Sequence, residues 1–162
     1  MSKSKFQNNS KSKNPKIGII TGSQSDLTVI EKAEKQLKEF GIDYEITVAS
    51  AHRTPKKVEA YAINAEKKYD LIIAAAGMAA ALPGLVAAKT ILPVIGIPIH
   101  SKSLSGHDAL FSIVQMPPGV PVASVAIDGA RNAAILAAQI LALKYPGLKT
   151  KLKKLKSALA KG

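Results

Sequence analysis

The stretch Ile17-Gly18-Ile19-Ile20-Thr21-Gly22-Ser23-Gln24-Ser25-Asp26 decides the fold. Its first five residues are apolar or small without polar alternation, the pattern of a strand buried on both faces in a parallel sheet. Gly22 to Asp26 is a polar turn. Beyond it Leu27, Ile30, Ala33, Leu37 and Phe40 recur at helical spacing until Gly41 ends the run. Ser25 or Asp26 is the expected helix cap, and Glu31/Lys35 and Glu34/Lys38 are placed to pair on the outer face.

Reading outward, the same unit repeats. Tyr44 to Val48 is a second strand. Ser50-Ala51-His52-Arg53-Thr54-Pro55 follows, with Thr54 as expected cap and Pro55 at the first helical position. Val58, Ala62, Ala65 and Tyr69 stripe the next helix. Leu71 to Ala75 is a third strand, leading into the small-residue turn Ala76-Gly77-Met78-Ala79-Ala80-Ala81. Val94 to Ile97 is a fourth strand, residues 99–106 a loop, and a helix from about Asp108 runs to the Met116-Pro117 break. Val122 to Ile127 is a fifth strand, and Asp128 is the expected cap of an alanine-rich helix through Leu143.

Strands alternating with helices predict an α/β fold, a three-layer αβα sandwich. Its core is a parallel, five-stranded, flavodoxin-like sheet, which suits the order 2-1-3-4-5. Three segments are expected: a disordered basic arm (1–15), a catalytic α/β domain (16–143) and a lysine-rich amphipathic C-terminal helix (144–162). Leu148, Leu152, Leu155 and Leu159 stripe that helix, and a neighbouring subunit is the expected surface beneath them.

The net charge of +12 is confined to the ends. Residues 1–16 carry five lysines and residues 144–162 seven, with no acid in either, so residues 17–143 are balanced. Such ends are solvated tails or polyanion contacts. With two arginines and few aromatics the chain is poorly equipped for base readout, and no nucleic-acid role is expected. The absence of cysteine excludes disulfides and thiolate metal sites. No apolar run spans a membrane and no secretory pattern opens the chain, so a cytoplasmic protein is expected.

Parallel sheets bind ligands at the carboxyl ends of their strands, and three polar or small-residue turns fall there. Gly22, Ser23 and Ser25 at a helix start suit a phosphate, and Asp26 suits the hydroxyls of a sugar. A capped turn without ligand explains the same residues. Arg53 offers a planar fork of donors to phosphate. His52 suits proton transfer near neutral pH, or is a loop histidine tied to backbone. Gly77, Ala79, Ala80 and Ala81 let a ligand approach the backbone, or pack helix on strand. His100 is read as a surface loop residue and His107 as a helix start. No two histidines have metal-ligand spacing, so no metal is expected.

Five segments together resemble the class I, PurE-type 5-(carboxyamino)imidazole ribonucleotide mutases of purine biosynthesis. They are Gly22-Ser23-Gln24-Ser25-Asp26, Ser50-Ala51-His52-Arg53-Thr54-Pro55, and Leu82-Pro83-Gly84 with Ala87-Ala88-Lys89-Thr90; then Leu104-Ser105-Gly106, and Ser112 to Pro117 with Gly119 to Val122. The resemblance implies an isomerase that moves a carboxylate from an exocyclic nitrogen to a ring carbon without cofactor, through released and recaptured CO2. His52 would be the acid/base. Ser23, Ser25, Asp26, Ser50, Arg53, Gly77 and Ala79 would bind the phosphorylated aminoimidazole ribonucleotide. A homo-oligomer, an octamer by family habit, is also implied. One departure stands out: the family's histidine before Leu-Pro-Gly is here Ala81. It leaves open a paralogue that carboxylates or decarboxylates a related ribonucleotide, or a catalytically impaired nucleotide-binding variant.

Overall fold

A computed structural model describes residues 14–161, so the expected basic arm lies almost wholly outside the described residues. Five strands, β1 (Lys16–Thr21), β2 (Asp43–Val48), β3 (Leu71–Gly77), β4 (Val94–Ile99) and β5 (Ala123–Ser124), form one parallel sheet in the order β2-β1-β3-β4-β5. Six helices cover it: α1 (Leu27–Phe40), α2 (Pro55–Ala65), α3 (Leu82–Ala87), α4 (His107–Val114), α5 (Ala130–Leu141) and α6 (Gly147–Leu159). The three-layer, flavodoxin-like expectation holds.

Strand pleating sorts the core into two clusters. Ile17, Ile19, Leu71, Ile73, Ile95 and Ile97 point to one face, where α1, α5 and α6 bury them. Ile20, Ile72, Ala74 and Val94 point to the other, under α2, α3 and α4. Covered on both faces, β1, β3 and β4 read as continuous apolar runs, whereas the edge strand β2 alternates, with Asp43 and Glu45 exposed. Gly18 permits a close approach: a Cβ there would sit 2.6 Å from Tyr69 Cδ2 and collide with Tyr61 Oη.

Several local expectations need correction. β5 keeps only two ladder residues, because Pro121 precedes it and the chain leaves the sheet at a turn closed by Gly129 N donating to Ala126 O (2.8 Å). Asp128 does not cap α5. It takes a left-handed conformation (φ 54°) and its Oδ1 accepts from His100 N at 2.9 Å, leaving Gly129 at the cap position. Glu31/Lys35 and Glu34/Lys38 do not close as ion pairs among the described residues; Glu34 accepts from Tyr44 Oη instead (2.7 Å).

Part of the leucine stripe of α6 is covered within its own chain. Leu148 is buried, and Leu152 and Leu155 pack on the cluster that contains Phe40 and Leu141; Leu159 stays largely exposed. Lys151 Nζ reaches Phe40 O at 2.7 Å, satisfying a carbonyl at the end of α1. Just before β3, Asp70 gathers three donors from the start of β1 and the α5–α6 junction: Lys144 Nζ (2.8 Å), Tyr145 Oη (2.9 Å) and Lys16 N (3.1 Å).

Candidate active site

The sheet order reverses at β1: the chain moves out to β2 and then back across to β3. The loops leaving the neighbours β1 and β3 run to helices on opposite faces, α1 and α3, and a crevice opens between them at the carboxyl edge. Here it is a cleft of about 570 Å³ lined by the ends of four strands. Every residue expected to bind or react lies on it: Ser23, Ser25 and Asp26 after β1, Ser50, His52 and Arg53 after β2, Gly77 and Ala79 after β3.

The β1 turn is internally braced. Ser23 is extended (φ −148°, ψ 153°) and caps a short 3-10 turn, Gln24–Asp26, its Oγ accepting from Ser25 N at 3.3 Å. Capping therefore falls to Ser23, and neither Ser25 nor Asp26 caps α1 through its side chain. Instead the Asp26 carboxylate is tied down by the buried Thr21, whose Oγ1 donates to Oδ2 at 3.0 Å. The Ser25 hydroxyl has Ser23 Oγ (2.9 Å) and Asp26 Oδ1 (3.1 Å) within reach and one proton to give. Both serine oxygens keep lone pairs or a proton for a ligand.

The β2 turn is closed by Thr54. Its Oγ1 accepts from Ser50 N and donates to Ser50 O, both at 3.0 Å, so it faces back into the loop and makes no forward cap on α2. Pro55 does occupy the first helical position. Arg53 joins the two turns: its N–H donates to Ser50 Oγ (3.2 Å) and its Nη2 to Gly22 O (3.0 Å). One arm of the guanidinium is thereby fixed and the rest of the fork faces the cleft. The His52 ring is exposed and has no hydrogen-bond partner in the protein among the described residues, so a tie to backbone does not account for it.

The β3 turn is compact. Met78 adopts a left-handed conformation (φ 57°), a strained choice for a residue with a side chain. Two successive tight turns follow, Ala80 N to Met78 O (2.8 Å) and Ala81 N to Ala79 O (2.7 Å). Ala79 and Ala81 are exposed on the cleft wall, whereas Ala80 is buried in the core under α2 and α3.

The reading from sequence missed the fourth wall. His100, Ser101 and Lys102, which follow β4, line the same cleft, so His100 is not merely a surface loop residue. The available signal was topological: a fourth parallel strand must end on the same edge as the other three. His107, as expected, begins α4, with its Nδ1 3.0 Å from Leu104 O.

The family model described as AIR carboxylase matches residues 16–162. The chain belongs to the AIR carboxylase family. Among relatives in this family, it is 60% identical over 141 residues to the N5-carboxyaminoimidazole ribonucleotide mutase of Pyrococcus abyssi, covering 86% of this chain and 81% of that one. It is 58% identical over 146 residues to the enzyme of the same name from Thermotoga maritima, covering 90% and 85%. The crystal structure of Treponema denticola PurE superposes with a TM-score of 0.84 at 34% identity, covering 91% of this chain and 93% of that one. The AIR carboxylase match begins at the first residue of β1, so it takes in all four strand ends that line the cleft.

Proposed function

We propose that this chain is an N5-carboxyaminoimidazole ribonucleotide mutase of purine biosynthesis, with His52 as its acid/base. The observation that carries the reading is the convergence of His52, Arg53, Ser23, Ser25 and Asp26 on one cleft, in a chain whose relatives bear that name. Arg53 and the two serines take the 5′-phosphate, assisted by the N–H groups of the β1 turn. Asp26, held by Thr21, accepts from ribose hydroxyls. Ser50 closes the phosphate end, and Gly77 and Ala79 allow the imidazole ring against the backbone.

The chemistry needs two proton transfers, one from His52 and one back to it. Protonated His52 gives its proton to the exocyclic carbamate nitrogen; the N–C bond breaks, its electron pair stays on nitrogen, and CO2 departs. The electron-rich ring carbon attacks the trapped CO2 and forms the new C–C bond. That carbon then returns its proton to His52, restoring the starting state. Atoms and charge balance without a cofactor. The small residues Gly77, Ala79 and Ala81 leave room for CO2 beside the ring, where proximity makes recapture faster than escape.

The reading includes a homo-octamer in the cytoplasm. The exposed apolar residues Leu104, Phe111 and Val114, on and before α4, support assembly because isolated subunits would leave them in water. Among the described residues no helix is long and apolar enough to cross a membrane. The description of the matching family favours a second reading, bicarbonate-dependent carboxylation of the aminoimidazole ribonucleotide. Incubation with the carbamate in bicarbonate-free buffer, followed by ultraviolet absorbance, separates them. Ring carboxylation without added bicarbonate supports the mutase; carboxylation only with bicarbonate supports the carboxylase.

A further inference from the structure

We infer that His100 and Lys102 form a second anion-binding wall, which takes the carboxylate of the ligand and makes the cleft selective for a carboxylated ribonucleotide. The inference rests on the ribonucleotide reading given above and goes beyond it in assigning the end of the cleft opposite Arg53. The strand order supplies the geometry. Arg53 follows β2 and is bonded to Gly22 after β1, whereas His100 and Lys102 follow β4, on the far side of β3. Ladder neighbours lie about 4.8 Å apart, so the β2 and β4 ends are separated by roughly three such spacings. A nucleotide carries its phosphate and its base at opposite ends, and a cleft of this span takes one at each.

Charge points the same way. Among the described residues, Asp26 is the only carboxylate on the cleft lining, beside two basic side chains, Arg53 and Lys102. Two cations at opposite ends suit a ligand with two separated anionic groups; a ligand with phosphate alone would leave Lys102 unmatched. Lys102 is exposed and makes no ion pair or hydrogen bond within the protein among the described residues, so its charge is free for a ligand.

The wall is also built rather than incidental. His100 N donates to Asp128 Oδ1 (2.9 Å), while Asp128 N donates to Pro98 O (2.8 Å), which fastens the end of β4 to the chain beyond β5. From the other side Gly106, at φ 85°, packs so closely that a Cβ would stand 3.2 Å from His100 Cα. The left-handed backbone at Asp128 and the glycine at 106 thus both serve to hold this edge. With Ala81 offering only a methyl group to the cleft, His100, Ser101 and Lys102 are the polar side chains left to meet the carboxylate end, and of these Lys102 alone carries a fixed positive group.

The test compares binding of three probes by calorimetry: the ring-carboxylated aminoimidazole ribonucleotide, its decarboxylated counterpart, and ribose 5-phosphate. Lys102→Met should weaken the carboxylated nucleotide by about tenfold, the loss of one charge-assisted contact, and leave the other two within about twofold. His100→Asn should lower the same preference by less, and Lys102→Arg should restore most of it. Arg53→Ala should weaken all three. An unchanged preference in Lys102→Met, or equal weakening of all three probes, would overturn the wall while leaving the phosphate site intact. If the parent bound none of the three probes, the ribonucleotide reading itself would fall, and this inference with it.

Discussion

Replacing Asp70 by asparagine should cost this protein about 2–3 kcal/mol at neutral pH. The carboxylate accepts from Tyr145 Oη, Lys16 N and Lys144 Nζ, and so ties the start of β1 to the junction of α5 and α6. Its side chain is only 17% exposed. Burial disfavours the charge, but the bonds from Lys144, Lys16 and Tyr145 outweigh that and hold the carboxyl below its usual pKa. Hydrogen bonds to a charged group contribute about 1.5–3 kcal/mol each when buried. Asparagine keeps an acceptor but turns an amide N–H₂ towards one of the donors, so roughly one such bond is lost together with the charge. The Lys144 ammonium is mostly in water and adds little. For a domain of this size the loss corresponds to a melting temperature lower by about 4–12 °C. Because the folded-state pKa is depressed, this stabilisation is present above the unfolded value near 4 and is lost as pH falls through the folded value. Parent and Asp70→Asn should therefore differ most at pH 7 and converge in acid. Denaturant melts across pH 3–7 test this. A difference independent of pH would show that the carboxylate charge is not what holds the junction.

Three further outcomes follow from the same geometry. Gly18→Ala should destabilise by about 1–3 kcal/mol through overpacking against Tyr61 and Tyr69, measured by urea unfolding; a neutral result would mean the rings move aside freely. Arg53→Ala should raise the dissociation constant for ribose 5-phosphate by about ten- to hundredfold, on the order of 1.5–3 kcal/mol, and unchanged affinity would place the phosphate elsewhere. Deleting residues 146–162 uncovers the site of one buried leucine and two half-buried ones, a loss of roughly 3–5 kcal/mol, visible as a lower melting temperature even at dilutions that dissociate any oligomer. An unchanged melting temperature there would return the helix to the role of an intersubunit cover.

The sheet was legible because burial on both faces leaves unbroken apolar runs, as in Ile17–Thr21 and Leu71–Ala75, and because each run ends in a small polar turn. The cleft followed from topology, since those turns must share one edge. What remained hidden depends on where backbone groups find partners, which residue type does not fix. Asp128 reads as a cap because aspartate caps helices, yet the His100 N–H claims it. Thr54 stands at a cap position but turns back to Ser50. His100 and Lys102 escaped notice because the loop after β4 lacks the compact glycine–serine or histidine–arginine pattern of the first two turns. The surface beneath the α6 leucines was likewise not readable, because a stripe records that something is covered without recording what.

Proton transfer by His52 in the isomerisation is tested by His52→Asn, assayed for binding and turnover on the same preparation. Asparagine keeps hydrogen-bonding capacity and similar reach but cannot ionise near neutral pH. Affinity for ribose 5-phosphate should stay within about twofold of the parent, while conversion of the carbamate to the ring carboxylate should fall by about two to four orders of magnitude. Equal turnover by parent and His52→Asn would contradict the account and leave the cleft as a nucleotide-binding site without this chemistry.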